Sequence, residues 1–68
     1  MSLAFIRKTY NLPLARRGQR VEMVIGFDPH LPRPKGTITG SRGCYLRVRS
    51  DGGNTYLIEP FRVRYLEE

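Results

Sequence analysis

A chain of 68 residues has room for one small domain, and its twelve Lys and Arg outnumber six Asp and Glu to give a net charge of +6. That length excludes a two-domain enzyme, the single cysteine excludes an internal disulfide, and no apolar run approaches the length of a membrane span. Seven Gly and five Pro point to short elements joined by frequent turns, around a core that buries only about 60% of the unfolded chain's surface.

Residues 3–9 fit either a single helical turn or an extended arm, and Pro13 then disfavours helical geometry at Leu12. Residues 1–10 lack the long apolar stretch and small-residue cleavage site of a secretion signal, so a reducing, cytoplasmic setting is expected. Arg16-Arg17-Gly18 reads as a turn into the first strand, Gln19 to Ile25, where Val21, Met23 and Ile25 share one face. Gly26 ends it, and the three prolines of residues 27–34 make that stretch a loop. Lys35 to Gly40 forms a second strand with Ile38 inward, followed by a turn over residues 40–43. The third strand, residues 44–50, puts Cys44, Leu46 and Val48 inward and Tyr45, Arg47 and Arg49 outward. Cys44 is thereby expected as a small buried hydrophobe.

Asp51-Gly52-Gly53-Asn54 is a hairpin signal, and strand four follows over residues 55–59 with Tyr56 and Ile58 inward. Keeping Val48 on the face of Tyr56 or Ile58 needs an odd number of loop residues, which favours a three-residue loop. Placing that loop at Gly52-Gly53-Asn54 would set Arg47 opposite Glu59 and Arg49 opposite Leu57. Pro60-Phe61 makes a corner before a last strand, residues 62–66. The expected fold is therefore all-β, with residues 1–17 as an N-terminal arm or short helical turn and residues 18–68 as a five-stranded barrel. Closure would remove the exposed edges that invite aggregation.

The pattern Gly18-x-x-Val21, Gly26, Lys35-Gly36-Thr37-Ile38, Tyr45-Leu46-Arg47-Val48, Asp51-Gly52 and Ile58-x-Pro60 resembles the SH3-like barrel. Within that group it looks most like the small KOW- and Tudor-type members, and the resemblance spans about residues 10–66. The stretch from Tyr10 to Val21 is similar to short proteins of bacteriophage and prophage genomes, which implies a phage or mobile-element origin. A plasmid-encoded dihydrofolate reductase shares the barrel, but its pore-lining glutamine and tyrosine correspond here to Leu57 and Glu59, so that activity is not expected.

No catalytic constellation stands out. His30 has only Asp28 nearby in sequence, Cys44 and His30 lack a third member, and no glycine-rich phosphate loop opens a helix. No enzyme, cofactor, metal or small-molecule substrate is expected. Binding is better supported, because ten of the twelve cations are arginine, whose planar fork suits phosphate and stacks on rings. Residues 1–20 carry five cations and no acid, and residues 35–50 carry four and none. The candidate nucleic-acid contacts are Arg16, Arg17, Arg20, Lys35, Arg42, Tyr45, Arg47 and Arg49, with Thr37 and Thr39 beside the strand-three row. Those arginines would neutralise DNA or RNA phosphates without reading sequence. The alternative is a protein-interaction module that presents Phe27, His30, Leu31 and Arg33 from the proline-rich loop 27–35 to a host or phage protein, or an acidic protein surface as ligand. Either way a monomer or weak dimer without membrane attachment is expected.

Overall fold

A computed structural model describes residues 2–67 as one short helix and five antiparallel strands in the order β4-β3-β2-β1-β5. Helix α1, Leu3–Tyr10, is longer than the single turn or extended arm expected from the sequence. Its ends explain why it forms. The Ser2 hydroxyl accepts the Phe5 N–H at 3.3 Å, and Asn11 closes the other end in the left-handed region at φ 54°. Ile6 points from α1 into the core and is fully buried there, as is Ala15 on the segment that follows.

Strand β1, Arg20–Met23, buries Val21 and Met23 as the alternation predicts, but it stops two residues before Ile25. The Val24 N–H still bonds to the Arg62 carbonyl at 2.9 Å, one step further along the β1–β5 register, but Ile25 turns outward, 41% exposed. Strand β2, Lys35–Arg42, runs past the turn expected at residues 40–43. Thr39 forms a β-bulge between the pairs Ile38↔Val48 and Gly40↔Arg47, and the pairing continues to Arg42↔Tyr45. The turn is consequently Gly43-Cys44. Cys44 sits in it half-buried rather than in the core, against the Tyr10 side chain. Hydrogen bonding with Cys44, then the thiol's charge, raises the Tyr10 phenol above its ordinary pKa and ties the turn to the end of α1.

Strand β3, Tyr45–Ser50, alternates as expected, with Leu46, Val48 and Ser50 buried. Strand β4, Thr55–Ile58, pairs with it through Val48↔Tyr56 and Leu46↔Ile58, so the odd-length loop is correct. That loop begins one residue earlier than placed from the sequence. Ser50 donates its N–H to the Asn54 carbonyl at 2.7 Å, leaving Asp51, Gly52 and Gly53 as the loop, with Gly53 at φ 92°. Arg47 therefore faces Leu57 and Arg49 faces Thr55, and the cross-strand pair of Arg47 with Glu59 does not form. Glu59 instead meets Arg62 at 3.4 Å.

Strand β5, Val63–Tyr65, returns to β1 through Val21↔Tyr65 and Met23↔Val63. Between β4 and β5 the Arg62 N–H closes a turn on the Glu59 carbonyl at 2.9 Å, which keeps Ile58 within about 15 Å of Val63. In a flat sheet of five strands those edges would stand about 19 Å apart. The sheet therefore bends over itself, and side chains from all five strands join Ile6 and Ala15 in one core. It bends without sealing: β4 and β5 remain its two edges, with no ladder between them among the described residues. Pro60, buried at the corner, has no N–H to continue the pairing. The Tyr65 hydroxyl donates to the Pro60 carbonyl at 2.8 Å, and burial pushes its phenol pKa up to about 12.

Candidate functional site

The outer face of β3 carries Tyr45, Arg47 and Arg49 in one exposed row about 14 Å long. Arg42 lies opposite Tyr45, and Thr37 lies opposite Arg49. The bulged Thr39 hydroxyl donates to the Arg47 carbonyl at 3.3 Å, so β2 and β3 stay joined where the row is densest in charge. Beside Arg47 the sheet and the first turn of α1 enclose a cleft of about 450 Å³. Arg7 from α1, Arg17 from the turn before β1 and Arg47 from β3 all line it, with Ser2, Thr39 and Ser41 supplying polar groups and no carboxylate among the described residues. Arg7 is steadied by donating from Nη1 to the Ala15 carbonyl at 3.1 Å. Arg17, Arg42, Arg47 and Arg49 have no carboxylate within ion-pair distance among the described residues.

Not every candidate joins this tract. Arg20 is held bidentate by Asp51, with Nη1 to Oδ1 at 2.7 Å and Nη2 to Oδ2 at 2.8 Å, and Nη1 also reaches the Thr37 hydroxyl at 3.0 Å. Those hydrogen bonds hold the Asp51 carboxyl below its usual range, and the charges of Arg20 and Lys35 add to the shift. Arg20 is thus spoken for by a carboxylate of its own chain, and Lys35 acts on that carboxylate only through its charge. Arg16 turns away from Arg17 into a second cleft of about 390 Å³, which Arg20 and Glu67 also line. The sequence order Arg16-Arg17 therefore splits between two surfaces.

The proline loop holds the other candidates. Asp28 orders it, accepting the His30 N–H on Oδ1 at 2.9 Å and the Leu31 N–H on its carbonyl at 3.1 Å. Leu31 lies over Gly26, whose φ of 86° and lack of a Cβ leave space for it. Arg33 meets Glu22 at 3.8 Å. Phe27 is 97% exposed, with the Arg62 guanidinium over its ring at 5.5 Å.

Arg7 was missed by the sequence reading because residues 3–9 fitted a helix or an arm equally, and its place beside Arg17 and Arg47 is a long-range result of packing Ile6. The Ser2 cap and the Asn11-x-Pro13 stop were the available signals. Among the described residues no three His, Cys, Asp or Glu side chains gather as metal ligands would, and no helix is long and apolar enough to cross a membrane. Comparison with protein-family models, curated proteins and solved structures finds no match.

Proposed function

We propose that this chain binds nucleic acid without sequence preference, through phosphate contacts made by Arg7, Arg17, Arg42, Arg47 and Arg49, with Tyr45 offering a ring for base stacking. The observation that carries the reading is the cleft lined by arginines from three separate elements, with no carboxylate among the described residues of its walls. Guanidinium groups that no acid among the described residues neutralises attract polyanions, and the counterions released on binding supply most of the affinity. An exposed tyrosine in the same row suits single strands, where stacking contributes about 1–3 kcal/mol per base.

As part of the same proposal, the bent sheet is an SH3-like barrel left open along one seam, from a phage or other mobile element and working in the cytoplasm. The return of β5 to pair with β1 and the short corner between β4 and β5 support the fold part of this reading. The sequence resemblance supports the rest.

The test is a fluorescence-anisotropy titration of the whole chain with labelled single-stranded DNA, duplex DNA and RNA at two salt levels. Binding should weaken with a log–log salt slope of about −3 on single strands and about −4 to −4.5 on duplex, as expected for four or five phosphates engaged. Arg17→Glu and Arg47→Glu should each lower the affinity by about tenfold or more with the fold retained. Salt-independent binding, or none at about 50 µM protein, would sink the reading.

A further inference from the structure

The surface around the arginine row is not all charge. On the outer face Arg47 lies directly across from Leu57 of β4, and Arg49 from Thr55. Leu57 is 47% exposed, and Tyr45, two residues before Arg47, is 45% exposed, so an aliphatic side chain and an aromatic ring flank one guanidinium. The first is set about 5 Å from Arg47 across the ladder and the second about 7 Å along the strand. On the remaining side Arg47 pairs with Gly40 of β2, where even a Cβ would meet nothing within 4 Å. That bare position opens onto the α1 cleft, which Arg47 lines together with Arg7 and Arg17.

We propose that the nucleic acid taken here is single-stranded, held by a phosphate at Arg47 with the unpaired bases on either side of it laid on Tyr45 and Leu57. The inference rests on the phosphate-binding reading above and narrows its substrate class. Charge alone does not select that class. A duplex carries its phosphates more densely than a single strand, so guanidinium groups by themselves favour the duplex. What selects the single strand is the apolar surface set among the charges. In a duplex the base faces are stacked on one another, and Tyr45 and Leu57 would find only a sugar–phosphate ridge. In a single strand each phosphate has a free base on either side, which matches a cation flanked by a ring and an aliphatic group. The α1 cleft acts in the same sense. A flexible strand can bend a phosphate into a space of about 450 Å³ between helix and sheet, whereas a stiff duplex meets only its rim. Around Arg49 the cross-strand neighbours are Thr37 and Thr55, so base contact is confined to the ground between Tyr45 and Leu57. Stacking accepts any base, in keeping with a site that does not read sequence.

The test is competition anisotropy of the whole chain against three probes with equal numbers of phosphates, at low and high salt. The probes are an unstructured mixed-sequence single strand, an abasic strand of the same length, and a DNA duplex. The base-bearing strand should bind about fivefold or more tightly than the abasic strand, and more tightly than the duplex. Tyr45→Ala should bring the base-bearing and abasic strands to within about twofold of each other, and Leu57→Ser should reduce their ratio about two- to threefold. Neither substitution removes a charge, so duplex affinity should change by less than about twofold. Both side chains lie outside the core, and circular dichroism checks that each variant folds. Equal binding of the base-bearing and abasic strands by the unaltered chain overturns the proposal. So does a ratio that survives both substitutions, or a duplex bound more tightly than the base-bearing strand. In those cases salt-dependent binding to all three probes leaves the phosphate reading standing. Absence of salt-dependent binding to any probe overturns both.

Discussion

Arg20 and Arg49 stand in one row across the outer face, each opposite Thr37, yet among the described residues only Arg20 of the two forms an ion pair. Because the Asp51 pKa is lower in the fold than in the unfolded chain, the pair stabilises above the ordinary value of 3.8. That contribution is lost as pH falls through the folded value. Asp51→Asn should therefore lower Tm at neutral pH, with the gap to wild type closing in acid when the two melting curves are compared. The same substitution removes a negative charge beside the β3 row, and it should tighten polyanion binding about two- to fivefold in the anisotropy titration. At Gly36 the constraint is space. A Cβ there would lie 2.5 Å from the Arg49 carbonyl oxygen and 2.8 Å from Val48 Cγ1. Gly36→Ala must push β2 off β3 and should cost about 1–3 kcal/mol, read as a Tm drop of about 4–8 °C per kcal/mol.

At the scale of elements, α1 belongs to the core through Ile6 and to the site through Arg7. Ile6→Ala should cost about 2–5 kcal/mol, out of about 3–10 kcal/mol for a domain of this size. A urea titration checks this as a lower midpoint; a loosely attached helix would leave the midpoint nearly unmoved. Strand positions and their inward faces were legible because Val21, Met23, Leu46 and Val48 alternate with polar neighbours. The bulge at Thr39 was not, since an extra residue in one strand has no local marker and depends on which partner residues meet. Its effect was large, moving the hairpin turn to Gly43-Cys44 and taking Cys44 out of the core. The one-residue offset of the β3–β4 loop had the same origin, because the glycine-rich stretch admits either placement. Arg17, Arg47 and Arg49 were legible as exposed cations. The neutralisation of Arg20 was not, because Asp51 lies far along the chain and reaches it only after β1, β2 and β3 align.

Across the whole molecule, the cationic β3 face extends into the α1 cleft on one side and meets Thr55 and Leu57 of β4 on the other. That arrangement follows from topology, because β3 is an inner strand and β4 is an edge of the same bent sheet. The return of β5 to β1 has a kinetic consequence as well. The β2–β3 and β3–β4 pairs close through short hairpins, whereas Val21 and Tyr65 must find each other across most of the chain. The hairpins should assemble in the rate-limiting barrier, and the outermost strand should zip on afterwards. In stopped-flow chevrons, Val48→Ala is then expected chiefly to slow refolding, and Val63→Ala chiefly to hasten unfolding. The last strand to arrive would also be the first to peel away, so spontaneous opening of the native state would begin along the β1–β5 line.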